Sequence, residues 1–226
     1  MRMNLSELEI RILGCLMEKE LATPEIYPLT LNALASACNQ KSNRDPAMSV
    51  TEADLLRGLE ALGARGLARL TTTGGRVPKY CHSVADNLGL AAAERAVLAE
   101  LMLRGAQTAA ELRSRCERMT EMGEIESVEE TLRKLQQHGP PLVVRLPRQP
   151  GRKEQRYLQV FAGLPELPDE PEAAEEIEPT AGPRAAAGRP AAGNERLERL
   201  EEGIGSLRQE IAALRREVQE MLEAFA

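Results

Sequence analysis

The sequence has no tryptophan, and aromatic residues make up only 2% of its 226 positions. Its core must therefore be assembled mainly from Leu, Ala, Val, Ile and Met, a mixture that favours helices. No apolar run approaches the roughly 18 residues of a membrane span. The opening MRMNLSELEI has neither the basic region nor the apolar block of a secretory signal. The expectation is a cytoplasmic protein. Histidine is scarce as well: His82 and His138 are the only two. The four cysteines, Cys15, Cys38, Cys81 and Cys116, form no CxxC pattern, so a metal site is short of ligands. Cys81 and His82 are adjacent, but reduced and mostly buried thiols are the better reading, with no metal and no cofactor. The chain also lacks GxxxxGK[ST], HExxH, GxSxG and a complete GxGxxG. Its carboxylates fall on helix caps, exposed faces and an acidic linker, so an enzyme is not expected.

The net charge is −6, unevenly spread. Residues 1–90 carry 10 basic and 10 acidic side chains, residues 91–162 carry 12 and 10, and residues 163–226 carry 7 and 15. The acidity belongs to the tail and leaves room for a nucleic-acid surface in the body.

A shift of 78 residues lays LNALASACNQKSNRDPAMSV (31–50) over AAELRSRCERMTEMGEIESV (109–128), matching Leu34 to Leu112, Cys38 to Cys116 and Ser49-Val50 to Ser127-Val128. A shift of 77 sets Lys79-Tyr80 against Arg156-Tyr157. One unit of roughly 80 residues thus occurs twice, a length that suits a small domain. In each unit three helices precede two β-prone runs. Helices are expected at 6–18, with Leu8, Ile12, Leu13, Leu16 and Met17 sharing one face, at 30–38, at 49–65 behind a Ser49/Glu52 capping box, at 91–104, at 109–118 behind Thr108/Glu111, and at 128–138 behind Ser127/Glu130. LARLTTTGGRVPKYCHSV and LVVRLPRQPGRKEQRYLQVF read as hairpins. Three helices and a hairpin describe a winged helix-turn-helix. The fold class expected is therefore mainly α with small β-hairpin wings, in two tandem winged helix-turn-helix domains, 1–88 and 89–162.

Residues 163–193 hold six prolines and little that could form a core, and read as a flexible acidic linker. In 194–226, Leu197, Leu200, Ile204, Leu207, Ile211, Leu214, Val218 and Met221 alternate spacings of three and four, a coiled-coil seam that ends at Phe225. Ile204, Ile211 and Val218 fall at a positions and Leu200, Leu207 and Leu214 at d, the pattern of a parallel homodimer. An amphipathic helix docked on its own body is the alternative.

NLSELEIRILGCLMEKE, TPEIYPLTLNALASACNQKSNRDPAMSV and RVPKYCHS resemble the YceH-like family of uncharacterised bacterial proteins, closely over residues 3–165. The resemblance implies tandem winged helices and a bacterial cytosolic protein. It implies no activity and no functional residues.

NQKSNRDP (39–46) joins the second and third helices of the first unit, and the second unit is expected to have a loop of the same length, ERMTEMGEIE, there. Asn39, Asn43, Asp45 and Pro46 suit a structural turn. Lys41, Ser42, Asn43 and Arg44 suit phosphate contact, and protein contact is a third reading. The third helices open with Glu52 and Asp54, and with Glu129 and Glu130, which repel phosphate and argue against base readout in a major groove. The hairpins are basic. Arg69, Arg76 and Lys79 mark the first; Arg145, Arg148, Arg152, Lys153 and Arg156 mark the second, against Glu154 alone. Such hairpins suit salt-sensitive contact with a DNA backbone, or are simply solvated tips. Two functions follow: a DNA-associated regulator, or an adaptor between proteins.

Overall fold

The computed structural model describes residues 3–72, 77–148 and 154–164. Among them are seven helices, a three-stranded antiparallel sheet and a two-stranded one. The first half comprises α1 (Glu7–Ala22), a short 3-10 turn (Pro24–Ile26), β1 (Leu29–Thr30), α2 (Leu31–Cys38), α3 (Glu52–Ala64), β2 (Ala68–Thr71) and β3 (Lys79–His82). After α4 (Val84–Leu88) the second half follows: α5 (Ala92–Arg104), α6 (Ala109–Cys116), α7 (Ile125–Gln137), β4 (Val143–Arg145) and β5 (Tyr157–Gln159). The linker and coiled-coil readings, 163–193 and 194–226, lie outside the described residues apart from Gly163 and Leu164.

α1 begins as its sequence dictates. Ser6 Oγ accepts from Glu9 N while Glu9 Oε2 accepts from Ser6 N, a complete capping box. Its burial is not confined to one face. Residues Glu9 to Glu18 are all buried, as are Ala96 to Leu103 of α5. A surface helix buries one stripe and a central helix is covered all round. α1 is central because α2 and α3 pack on it from its own half and α5 packs on it from the other. At Gly14 a Cβ would stand 3.0 Å from Met102 Cβ, so a larger residue would push α1 and α5 apart. At Gly58 a Cβ would meet Ile12 Cδ1 at 2.5 Å, which fixes how closely α3 approaches α1. Leu13, Leu16, Leu98 and Leu101 are fully buried where the halves meet, each contributing roughly 1.5–3 kcal/mol of burial. The two halves share one hydrophobic core. The chain is also tied across its length by Leu5 N donating to Phe161 O at 2.7 Å.

The repeat is visible in the strand pairing. β3 lies between β1 and β2, with Leu29 opposite Tyr80 and Leu70 opposite Tyr80 on its other side. In the second half β4 pairs with β5, and an isolated bridge sets Gln107 opposite Tyr157. Leu29 and Gln107 are 78 apart and Tyr80 and Tyr157 are 77 apart, the offsets found in the sequence. Thr30 and Thr108 each cap the helix that follows, α2 and α6.

Two helix starts differ from expectation. α3 is capped by Thr51 with Asp54, not by Ser49 with Glu52. Asn39 holds Val50 in a two-way clasp, so the chain turns helical only after it. α7 begins at Ile125 rather than at 128, because Gly123 (φ 65°) turns the chain into an extended Glu124 that serves as the N-cap residue. Ser127 is therefore inside the helix: its N–H reaches Glu124 O and its carbonyl accepts from Thr131 Oγ1. With both starts moved, the two connections are unequal, residues 39–51 against 117–124.

Candidate functional site

The NQKSNRDP loop is bound into the structure at five points. Asn39 Oδ1 accepts from Val50 N at 2.7 Å and Asn39 Nδ2 donates to Val50 O at 2.9 Å, closing the connection at its neck. Asn43 sits in the left-handed region at φ 59°, a conformation asparagine tolerates better than most residues. Arg44 turns inward. Its side chain is fully buried, Nε donates to Ala37 O at 3.1 Å, and Nη1 and Nη2 reach Glu18 Oε1 and Oε2 at 3.2 and 2.5 Å. Asp45 N donates to Leu103 O at 2.8 Å, crossing to the second half. The Pro46 carbonyl accepts from Arg11 Nη2 at 2.5 Å.

Glu18 is the centre of this network. Its carboxylate, 0% exposed, is met by Arg44 from one side and by Arg118 Nη2 at 2.6 Å from the other. The same Arg118 nitrogen stands 2.7 Å from Glu100 Oε1, another fully buried carboxylate, on α5. Burial alone would raise the pKa of Glu18, but the hydrogen bonds and charge of Arg44, helped by Lys19 and Arg118, hold it below the ordinary range. A second polar node lies on the first half's sheet. Glu20 Oε2 contacts His82 Nε2 at 2.9 Å and Arg95 Nε at 3.1 Å, and the hydrogen bond to His82 is the main cause of its lowered pKa. His82 and Cys81 are engaged locally, His82 Nδ1 accepting from Val84 N and Cys81 Sγ receiving Arg69 Nε. All four cysteines are buried and free, and burial near Glu100 pushes Cys116 up to about 12.

The residues read as phosphate contacts are dispersed. Lys41, Ser42 and Asn43 are exposed, whereas Arg44 is withdrawn into the core and is not a surface cation. That corrects the phosphate reading at Arg44, and the physical reason is the buried Glu18 it neutralises. Lys79 is half-buried on β3, Arg145 and Arg148 are exposed, and Arg156 is half-buried with Nη1 donating to Ala106 O at 2.7 Å. Arg145 pairs across the ladder with Tyr157, which places Arg145 and Arg156 on opposite faces of the second hairpin. Arg76, Arg152 and Lys153 lie outside the described residues, as do the heptad positions Leu197 to Met221. The sequence reading missed Glu18, Glu100 and Arg118. The signal was there: LME (16–18) and LAE (98–100) place a carboxylate in the apolar stretch of each half's first helix.

The third helices present acids outward. Glu52 and Glu60 are exposed on α3, and Glu126, Glu129 and Glu130 on α7. Between α3 and β2 runs a groove of about 410 Å³, lined in part by Leu56, Leu70 and Tyr80. Leu56 and Leu70 are 47% and 57% exposed beside it. No helix among the described residues is long and apolar enough to cross a membrane.

A family model described as "Protein of unknown function, DUF480" matches residues 5–152. A protein of Citrifermentans bemidjiense, named UPF0502 protein, is 92% identical over the full length of both chains. UPF0502 proteins of Geotalea uraniireducens and Geobacter metallireducens are 64% and 54% identical, covering 92% and 88% of each chain.

Proposed function

The chain belongs to the DUF480 family of bacterial proteins of unknown function, and we propose that it is a non-enzymatic, tandem winged helix-turn-helix protein that touches the DNA backbone through its second hairpin. The observation that carries this is at Arg145 and Arg148. Arg95, Arg104, Arg113, Arg115, Arg118 and Arg156 each pair with a carboxylate. Arg145 and Arg148, like Arg133 on α7, are exposed and make no ion pair among the described residues, but only these two stand on the hairpin. Unpaired guanidiniums on a narrow hairpin suit phosphate oxygens and release counterions on contact. Acidic starts on α3 and α7 oppose base readout, so binding is salt-sensitive and tolerant of sequence. In this reading residues 194–226 pair two chains, bringing two hairpins to one duplex in the cytoplasm. Fluorescence anisotropy with two unrelated duplexes, over a series of salt concentrations, tests it. An Arg145→Ala/Arg148→Ala double variant should bind both duplexes about tenfold more weakly, with the salt slope reduced by about one for each arginine removed. Equal affinity of variant and parent at low salt would sink the proposal.

A second reading has its own observation. Leu56 and Leu70 on the α3–β2 groove, with Val77 60% exposed on the same hairpin, suit an adaptor that binds another protein. A lysate pull-down with and without nuclease separates the two. Partners that survive nuclease and are lost in a Leu56→Ser/Leu70→Ser variant favour the adaptor. Partners lost on nuclease treatment favour DNA.

A further inference from the structure

The NQKSNRDP loop and the second half enclose a polar cleft of about 520 Å³. Three guanidiniums from three elements converge on it: Arg104 at the end of α5, Arg115 on α6 and Arg156 beside β5. Each is held along one edge. Arg104 bonds to Asn43 Oδ1 and lies 3.2 Å from Glu100 through Nε, Arg115 Nη1 donates to Gln107 Oε1 at 2.5 Å, and Arg156 Nη1 donates to Ala106 O. The other edge of two of them is only loosely paired. Arg115 Nη2 and Arg156 Nη2 face Glu111 at 3.6 and 3.5 Å, within ion-pair reach but beyond a good hydrogen bond. Glu111 is itself held by its cap bond from Thr108 N, 2.9 Å.

The charges lining the cleft do not balance. Arg104, Arg115 and Arg156 stand against Glu111 and Asp45, while Glu18 answers Arg44 and Arg118 reaches Glu100 behind the wall. Beside Arg104, Gly105 adopts φ 73° and ψ −151°, and nothing lies within 4 Å of where its Cβ would be. That stretch of wall is bare backbone open to the cleft. Two guanidinium edges that share one distant carboxylate, a net positive charge and open space suit an oxyanion such as a phosphate.

We propose that this cleft binds a phosphate group, held between Arg115 and Arg156 with Arg104 completing the charge. The inference does not rest on the hairpin contact with DNA, since neither Arg145 nor Arg148 lines the cleft. The phosphate can belong to a free phosphate ester or to a nucleic-acid strand, and two arms distinguish them. Isothermal titration of the full chain uses pyrophosphate as probe, alongside Arg115→Gln, Arg156→Gln and, as a charge control on the exposed side of α7, Arg133→Gln. Binding should weaken about tenfold in each of the first two and be unchanged in the third. Glutamine keeps a donor toward Gln107 or Ala106, and a thermal melt checks each fold; at equal concentration pyrophosphate should raise the melting temperature of the parent more than that of those two. In the second arm, a labelled duplex reports the source. Loss of duplex binding in the same two variants, with displacement by pyrophosphate, assigns the phosphate to a nucleic-acid strand. Unchanged duplex binding assigns it to a free ester. No pyrophosphate binding at tens of millimolar, or equal weakening by Arg133→Gln, overturns the proposal.

Discussion

Thirteen residues, 39–51, connect α2 to α3, and eight, 117–124, connect α6 to α7. The shorter connection is held mostly by apolar means: Met119 and Met122 are buried, and the backbone of Met119 and Thr120 folds back onto Cys116 O. The longer one buries no large apolar side chain between Asn39 and Pro46 and relies on polar groups. Yet both send one arginine to the same buried carboxylate, Arg44 from the first and Arg118 from the second. The first loop is long and polar because it must cross from its own half to α5, where Asp45 meets Leu103 O and Asn43 meets Arg104. Only hydrogen-bonding groups can satisfy backbone carbonyls and a buried carboxylate along that path. The composition that looked like a ligand loop is mainly a brace between two halves.

The comparison breaks most sharply at Arg44. Replacing it with Met roughly keeps the volume but strips Glu18 of its closest partner, leaving a fully buried carboxylate with Arg118 at 2.6 Å and Lys19 at 3.6 Å. Truncating one partner of a buried pair costs about 3–5 kcal/mol, read as a fall in the urea midpoint with little change in slope. The pH dependence adds a sign. In the parent, Glu18 has a folded pKa below its unfolded value near 4.3. Its contribution is therefore complete above that pH and is lost as pH falls through the folded value. In the variant burial dominates and the folded pKa rises, so acid favours its folded form relative to neutral pH. The gap between parent and variant should narrow from pH 7 toward pH 4. A gap constant over that range would mean that Glu18 is not ionised in the parent.

Arg118 is the same interaction seen from the shorter loop, with a smaller expected effect. It bridges Glu18 and Glu100, but its side chain is 36% exposed and each acid keeps another cation. Arg118→Gln should cost about 2 kcal/mol, less than Arg44→Met because water reaches the site. A double-mutant cycle of the two, by denaturant unfolding, should show coupling of at least about 0.5 kcal/mol, since both act on Glu18. Strict additivity would mean that the two loops brace independently.

Helix existence was legible where capping pairs stand at the true starts, Ser6 with Glu9 for α1 and Thr108 with Glu111 for α6. The family resemblance read from NLSELEI and NQKSNRDP holds as well. The starts of α3 and α7 were not legible, because a clasp eleven residues away and a glycine turn decide them rather than the nearest Ser-x-x-Glu. The short β1 pairing escaped because Leu29-Thr30 gains its strand character only from Tyr80 and Lys79, fifty residues on. Arg44 was named for the wrong task, since its spacing from Glu18 is set by tertiary packing and no local pattern reports it. Arg145 and Arg148, by contrast, are exposed as a hairpin position suggests, while Arg156 of the same hairpin is half-buried.

Asn39 isolates the neck of the longer connection, whose counterpart in residues 117–124 is a single bond from Arg113 Nε to Gly123 O at 2.8 Å. Its side chain makes two bonds to Val50, at 2.7 and 2.9 Å, half-buried beneath the loop. Asn39→Ala removes both and leaves the Val50 amide without that partner, a cost of about 1–2 kcal/mol. Hydrogen exchange is the sharper measurement. The amides of Val50 and Asp45 should exchange faster while Met119 and Thr120 keep their protection, because only the first connection has been opened. Equal acceleration in both loops would show that the clasp supports the core rather than the neck.

The smallest effect is expected at Asn43, where two contributions of opposite sign meet. The residue is held at φ 59°, a region that costs a typical side chain roughly 1–2 kcal/mol, costs asparagine less and costs glycine little. Glycine at this position would relieve part of that conformational cost, but it frees the unfolded chain as well and removes the exposed bond from Arg104. Losing such a bond at the surface costs about 0.5–1 kcal/mol. The sum for Asn43→Gly should lie within about 0.5 kcal/mol of zero. Asn43→Val supplies the contrast, since it loses the same bond and adds a β-branched side chain in the left-handed region, for about 2 kcal/mol in all. If valine proves as harmless as glycine in thermal melts, the loop is not fixed in this conformation, and the brace must be carried by Arg44 and Asn39 alone.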